Sequence, residues 1–520
     1  MKKYLAAIIF FLISLTLVKA QTSVSFQHLG NATFQNNLLN PSLIPEGRWF
    51  VGLPILSGVH VHVNNKVSYN EAFTKEANQT TINIDKILGE LQNQNLLSIQ
   101  ANVNLLHIGY RLDSGPLVSF TANERIEGDF LYPKEMVDYV WNGNNNYLND
   151  EVVVSKFGVR ATHFREFGLG IAAPVSDQLT VGIRAKFLVG FGNISTPGNF
   201  KASLTTNGEA YQIDADWKNA SLRTSGLDIY QQEDGFTSSD LSSHLIMNGN
   251  TGFAIDLGGT YKLNRYYTLT GAIVDLGFIN WKENINNYAL GDTTFNYSGV
   301  SLADLGNIRQ TLEDSLFSKF ETTENSEAYR NWLPIRAHGS WIYHYSPNMD
   351  FYVTAGTRLV QRQFKMMYGG GVTYKFGRAF TASASATKLP QQFFNVGAAL
   401  TAKAGPVQMY MAADQIVNFS VPDAKAIDFR FGMNFAFGQL GGGKESPSGL
   451  SRSKIAGARG LDTNVFLGKK VKTKKRDGIY SIIKRQKPRE LKSRRTKRNG
   501  DVKKKSLNGR SGKKNTNGSE

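Results

Sequence analysis

Leu179-Thr180-Val181-Gly182-Ile183-Arg184-Ala185-Lys186-Phe187-Leu188-Val189-Gly190-Phe191 decides the fold. Its odd positions are Leu, Val, Ile, Ala, Phe, Val and Phe; its even positions are Thr, Gly, Arg, Lys, Leu and Gly. Successive side chains of a strand point to opposite faces, so this stretch has one apolar face and one face that is small, polar and charged. The same period of two returns in Phe253–Tyr261, Phe364–Phe376 and Ile427–Phe437. It also begins near Val51, Leu97, Val118, Phe167, Leu269, Ile335, Phe351, Phe380, Phe394 and Val407. There are about 14 such segments, each long enough for the roughly 9–11 residues of a tilted transmembrane strand.

A soluble sandwich also alternates, but two features favour a membrane barrel. The polar face is rich in Gly, Ala, Ser and Thr with scattered charges, as a water-lined lumen requires. The apolar face ends in aromatics (Phe164, Phe191, Tyr261, Tyr345, Tyr374, Phe376, Phe437), as interfacial girdles do. The connections then alternate in length. Short turns fall at 112–116, 174–177, 263–265, 346–348, 377–378 and 404–406, and carry Gly, Pro, Asn, Asp or Ser. Between them lie long links near 65–95, 130–156, 193–250 and 282–332, and shorter ones near 388–392 and 416–425. Outer-membrane barrels keep short turns in the periplasm and long loops outside. The expected fold is therefore all-β: an antiparallel transmembrane β-barrel with an even strand number, its loops carrying short helices. Helical spacing marks Ile84–Leu91, Leu302–Phe320 and Pro133–Val140, and residues 200–225 read as an extra hairpin.

The ends of the chain set the compartment. Met1-Lys2-Lys3, the apolar run Leu5–Val18 and Val18-Lys19-Ala20 form a secretory signal peptide, with Gln21 as the expected mature start. No later stretch approaches the roughly 18–20 apolar residues of a spanning helix. There are no cysteines, so disulfides, thiolate metal sites and lipoprotein anchoring are excluded. The net charge of +17 is a property of the tail: Gly441–Glu520 holds 25 Lys and Arg against 6 Asp and Glu, leaving 34 and 36 for the rest. Such a tail cannot bury enough apolar surface to offset its ordering entropy, so disorder is expected. The chain divides into a signal peptide (1–20), an N-terminal plug segment (21–46), a barrel (47–438) and a basic tail (439–520), with both mature ends in the periplasm. Export removes nucleic acid as a partner. The tail either docks envelope proteins or anionic cell-wall polymers, or is a solvated tether.

The chemistry-bearing residues point to a lumen rather than a catalytic centre. Glu166, Arg184, Lys186, Asp256, Arg336, Arg358, Lys375, Asp414, Asp428 and Arg430 occupy inward positions with mixed sign. A mixed set favours a cross-lumen salt-bridge network over a selectivity filter. His60 and His62 share a face and could converge on one metal ion, but no third ligand is identifiable and lumen polarity explains both. His338 and His344 lie on one inner face roughly 20 Å apart at strand rise, too far for one site. No Gly-x-Ser-x-Gly occurs, and no histidine pairs with an obvious Ser or acid, so an enzyme is not expected. Gly369-Gly370-Gly371 and Gly441-Gly442-Gly443 do not open a helix after a buried strand, so neither reads as a phosphate loop. No cofactor or metal is expected.

Asn40-Pro41 before the first strand and Asp275-Leu276-Gly277-Phe278-Ile279 where a strand leaves the membrane resemble the long-chain fatty-acid transporter superfamily, which includes PorV-like barrels of the type IX secretion system. Ile84–Leu97, Pro133-Lys134-Glu135-Met136 and Gly143-Asn144 resemble more closely an outer-membrane barrel family of Bacteroidota with a domain of unknown function. The resemblance covers about residues 35–437. It implies either a passive channel for small hydrophobic or amphiphilic molecules, or a membrane anchor docking other envelope or secretion-system proteins. Outer-membrane lipid and the barrel-assembly machinery are the implied partners.

Phe437 ends an alternating aromatic run of the kind assembly machinery reads as a terminal signal. Phe437→Ala is expected to slow appearance of folded, heat-modifiable barrel in cells more than Phe376→Ala does; equal assembly of the two variants contradicts this.

Overall fold

The computed structural model describes residues 23–438, apart from 77–78, 155–156, 198–199, 210–211, 228–248, 291–292, 298–321, 362, 389–394 and 417–420. The signal peptide, the basic tail and the helix expected at Leu302–Phe320 lie outside the described residues. A closed antiparallel barrel of 14 strands accounts for the alternating segments. In chain order the strands are β1 (Trp49–Gly52 and, after a break, Val59–Asn64), β2 (Gln94–Arg111), β3 (Leu117–Pro133), β4 (Gly158–Pro174) and β5 (Leu179–Ser195). Then come β6 (Thr251–Lys262), β7 (Tyr267–Trp281), β8 (Arg336–Ser346), β9 (Met349–Val360) and β10 (Gln363–Phe376). The last four are β11 (Phe380–Lys388), β12 (Asn395–Ala404), β13 (Val407–Ala413) and β14 (Ala426–Phe437). Each strand pairs with the next, and β14 closes on β1 through Trp49↔Phe437 and His62↔Asp428. Closure leaves no unpaired edge, the condition for a sheet in lipid.

Burial follows the period of two, inverted relative to a soluble protein. On β5, Val181, Ile183 and Phe187 are exposed while Gly182, Arg184, Lys186 and Leu188 are buried. The apolar face looks out to lipid and the charged face is enclosed. At the short-turn end the outer surface carries Trp49, Tyr343, Tyr345, Phe376, Phe380 and Phe437, an interfacial girdle. This is a transmembrane barrel of the outer-membrane kind.

Two of the expected girdle aromatics are not on it. Phe164 and Phe191 are fully buried. Phe191 is the extra residue of a bulge, because His163 pairs Gly192 while Phe164 pairs Gly190. Phe164 lies on the inner face, with the Arg125 guanidinium 5.0 Å from its ring centroid. Simple alternation cannot see the bulge at Phe191, whereas Phe164 is inward by plain alternation, sharing the parity of Arg160, Thr162 and Glu166 on its own strand.

Strands β2 to β5 are 17 or 18 residues long, and β4 begins at Gly158, well before the alternation near Phe167. Their ends project beyond the membrane. There Lys201–Thr206 and Ile213–Lys218 form the hairpin read from residues 200–225, and Glu151–Val153 and Thr293–Tyr297 extend it to four strands. Helices Ile84–Glu90 and Lys134–Asn142 sit in the same layer. Lys425 Nζ clasps it to the barrel, 2.8 Å from Glu71 Oε1 and 2.7 Å from Glu90 Oε2. Burial disfavours charge on Glu71, but the Lys425 and Ser68 hydrogen bonds outweigh it and hold the carboxyl below its ordinary range. That contribution is present above the ordinary carboxylate value and is lost as pH falls through the lowered one.

Ile183→Arg puts a charge on the lipid face at mid-strand. It is expected to destabilise the barrel by about 2–4 kcal/mol in lipid-reconstituted denaturant unfolding; a change within about 0.5 kcal/mol, the range of ordinary surface substitutions, contradicts the outward assignment.

Candidate functional site

The lumen is bridged by charge rather than left open. Its hub is Asp275, whose side chain is fully buried. Arg125 grips it with two bonds, NH1 to Oδ1 at 2.8 Å and NH2 to Oδ2 at 2.9 Å. Lys186 Nζ lies 2.8 Å from Oδ1, and Arg336 Nε donates to Oδ2 at 3.0 Å. Three cations from β3, β5 and β8 thus converge on one carboxylate of β7. Around the hub, Lys186 also meets Asp256 Oδ2 at 2.8 Å and Glu166 Oε2 at 3.5 Å. Arg184 reaches Asp256 at 3.4 Å, and Arg125 bonds Glu166 Oε2 at 2.8 Å.

Arg125 passes the network to a second layer through Glu127. There Arg160 and Arg358 flank Asp129 at 2.5 and 2.7 Å, and Ser98 Oγ donates to Asp129 Oδ1 at 2.8 Å. Burying so many ions is costly unless each is paired and hydrogen-bonded. Every ion is paired, although the Nε–H groups of Arg125, Arg160 and Arg184 find no acceptor, and the pairs tie eight consecutive strands, β2 to β9, across the lumen.

Asp275 reaches this position through local backbone geometry. Strict alternation from Leu269 through Gly271 and Ile273 would place it on the lipid face. Instead Ile255 pairs Leu276 while Leu257 pairs Ile273, so Val274 and Asp275 both stand opposite Asp256. Asp275 adopts φ 64°, a left-handed conformation that Asp tolerates better than most residues, and its N–H donates to Asp256 Oδ1 at 2.8 Å. The bulge turns the carboxylate inward.

The rest of the lumen is filled by the chain's own N-terminal segment. From Ser23 to Ser42 nearly every residue is buried. Polar side chains hold it to the wall: Gln27 Nε2 donates to Ser340 Oγ (3.1 Å), Thr373 Oγ1 to the His28 carbonyl (2.9 Å), and Gln35 Nε2 to the Ser57 carbonyl (2.7 Å). Further along, Arg184 NH2 donates to the Asn37 carbonyl (2.8 Å) and Asn40 Nδ2 to Thr270 Oγ1 (2.8 Å). Asn36 and Asn37 fold the segment on itself, donating to the carbonyls of Phe26 and Leu43 at 3.0 and 2.8 Å. Pro41 rests on two wall glycines: a Cβ at Gly182 would strike its backbone, and one at Gly258 would lie 2.9 Å from its Cδ.

Of the inward residues read from sequence, Glu166, Arg184, Lys186, Asp256 and Arg336 gather in the hub layer, and Arg358 in the second. Lys375 lies apart near the short-turn end, 2.9 Å from Asp350. Asp414, Asp428 and Arg430 form a third group with the start of the N-terminal segment. Ser23 Oγ donates to Asp428 Oδ1 at 2.6 Å, Arg430 Nε to Ser23 Oγ at 2.8 Å, and Ser25 N–H to Asp414 Oδ1 at 3.1 Å. His60 Nε2 and His62 Nδ1 both face Asp428 Oδ2, at 3.0 and 3.1 Å. Among the described residues no trio of His, Asp or Glu is arranged to hold a metal ion.

The histidines do pair with acids, against the sequence reading. His344 Nδ1 is 2.6 Å from Asp350 Oδ1 and its Nε2 is 2.9 Å from Thr268 Oγ1, while His163 Nε2 is 2.7 Å from Glu124. Arg125, Glu127, Asp129, Arg160 and Asp275 were missed. The face Thr121-Asn123-Arg125-Glu127-Asp129 alternates visibly, but Glu124 on its other face blurs the polarity contrast.

Asp275→Asn leaves two buried cations, Arg125 and Lys186, and the partly buried Arg336 without their shared carboxylate. It is expected to cost about 3–5 kcal/mol in reversible unfolding of the folded barrel. Asp113→Asn, which removes an exposed partner of Arg48, should cost at most about 1 kcal/mol. Equal effects of the two contradict the hub.

Among solved structures the chain is similar to a FadL homologue of Pseudomonas aeruginosa, at TM-score 0.38 and 9% identity over 81% of this chain and 99% of that one. It is also similar to the toluene transporter TbuX of Ralstonia pickettii (TM-score 0.37, 10% identity, 81% and 99%) and to the toluene transporter TodX of Pseudomonas putida (0.33, 10%, 80% and 93%). No curated protein matches. A family model matches residues 41–414, from the proline that rests on the wall glycines to Asp414 in the third charged group: the chain belongs to the family of unknown function DUF5723.

Proposed function

We propose that this protein is an outer-membrane transporter for small hydrophobic or amphiphilic molecules, held closed at rest by its N-terminal segment. The observation that carries the substrate class is an apolar patch of the wall beyond the charged layers. Phe164, Leu188, Ala254, Ile279, Trp281, Ile285, Tyr329 and Leu333 form one buried cluster toward the long-connection end. At its centre the buried Trp281 Nε1–H has no acceptor. Leaving such a donor unpaired costs about 1–3 kcal/mol, which a ligand oxygen would recover. An apolar body with one oxygen function suits this patch; a salt or sugar does not. Ile285, Tyr329 and Leu333 come from the long connections, so the cluster is covered from that side.

The segment's many hydrogen bonds suit a closure that water can replace on opening. Its last residue, Glu46 beside Lys403, and Arg48 beside Asp113 at the start of the barrel lie at the short-turn end, as does the β14 terminus. That supports periplasmic placement of both ends of the barrel.

A second reading, a membrane anchor that docks envelope proteins, is favoured by Val140 and Trp141, which are 78% and 55% exposed at the end of a helix beyond the membrane. It fails if the protein is recovered alone from mild detergent and deleting the tail leaves the envelope unchanged.

The transport reading is tested in proteoliposomes. Reconstituted protein is expected to speed permeation of medium-chain alcohols or fatty acids over protein-free vesicles, and Trp281→Phe to reduce that gain several-fold. Absence of permeation for every solute tried overturns it.

A further inference from the structure

At the deep end of the N-terminal segment the third charged group encloses a cavity lined by Ser23, His62, His338, Asp414, Gln415 and Arg430, among others. Its wall carries buried polar atoms with no partner: His62 Nε2, His338 Nε2, Asp414 Oδ2, and both amide atoms of Gln415. His62, His338 and Asp414 are each less than a tenth exposed.

The hydrogen-bond pattern defines what these atoms need. Asn102 Nδ2 faces His60 Nδ1 at 3.2 Å, which assigns the His60 proton to Nε2 and toward Asp428. His62 likewise turns Nδ1–H to the same carboxylate, leaving a lone pair on Nε2 that points into the cavity. Asp414 Oδ1 is taken by Ser25, and Oδ2 is bare. Apart from the Gln415 amide nitrogen, which donates, the bare atoms are carboxylate, amide and imidazole positions that a donor with several hydrogens would satisfy. The cavity's charge agrees: Asp414 and Asp428 face it with Arg430, while Arg336, the other cation on the wall, is committed to Asp275. A compact cation with multiple N–H bonds satisfies both conditions.

Such a group belongs to the chain itself. Ser23 forms part of the cavity wall, and the signal-peptide reading places the mature start at Gln21, two residues earlier. Two residues span at most about 7 Å, so the start of the mature chain is tethered within reach. We infer that this cavity is the binding site for the protein's own α-ammonium group, generated by cleavage after Ala20 and held by Asp414, His62 and His338. The inference does not depend on what the barrel transports. One consequence concerns biogenesis. An uncleaved chain has no ammonium at this point and carries twenty further residues that the cavity cannot hold, so removal of the leader precedes closing of the lumen.

The test uses the full-length protein purified from outer membranes. Intact mass is expected to show a start at Gln21 with a free amine; a start at another position, or a cyclised Gln21, overturns the inference. Folded protein is then treated at neutral pH with an amine-reactive acylating reagent, and the N-terminal peptide is quantified by mass spectrometry. The α-amine should label at least about tenfold more slowly than in heat-unfolded protein, and Asp414→Asn should remove most of that protection while the barrel keeps its heat-modifiable mobility. Labelling of the folded wild type at the unfolded rate overturns the inference with no variant needed.

Discussion

Asp275 accepting from Arg125, Lys186 and Arg336 is the contact on which the rest of the lumen depends. A barrel wall is strong along its hydrogen-bonded ladder but has nothing of its own to set the width of its interior. Side chains crossing that interior must do so, and in a membrane their charges cannot be left to water. One carboxylate shared by three cations sets the positions of β3, β5, β7 and β8 together. Replacing such a network by apolar side chains could match its stability, because desolvation offsets much of the Coulomb gain. What it supplies is geometry: planar guanidinium groups bond in fixed directions, whereas apolar packing tolerates rearrangement.

The N-terminal segment fits the space the network leaves. Arg184 belongs to both structures, pairing with Asp256 on the wall and donating to the Asn37 carbonyl of the segment. Displacing the segment therefore disturbs the edge of the network but not its centre. The lumen thus has a charged waist, an apolar patch beyond it toward the long connections, and a filling toward the short turns that combines hydrogen bonds with apolar contacts such as Phe34 on Phe50 and Leu117.

Much of the architecture was legible because period-two alternation and the alternation of short and long connections are local signals. Arg184 and Lys186 sit among outward Val181, Ile183 and Phe187, and no tertiary information is needed to read them. The hub was not legible for a physical reason. Asp275 lies beyond a bulge, and the parity that identifies inward residues on the unbulged strands assigns it to the wrong face. The same effect moved Phe191 off the girdle. Which cation meets which carboxylate depends on cross-barrel neighbours distant in sequence, as for Arg358 with Asp129, and strand patterns carry no such information. The histidine–acid pairs escaped notice because Asp428 meets His60 and His62 only where the last strand closes on the first.

The N-terminal segment fills the resting lumen against a charge-stapled wall. The chain has no cysteines, so an engineered pair has no competitor. Ser42 Oγ on the segment lies 2.8 Å from Thr260 Oγ1 on the wall. Replacing both by Cys and oxidising the protein in native membranes measures the contact directly. Near-complete cross-linking is expected in the folded barrel, read as an internal loop by mass spectrometry after digestion. Reduced thiols at both positions, equally reactive to a water-soluble maleimide, would mean that the segment lies outside an open lumen.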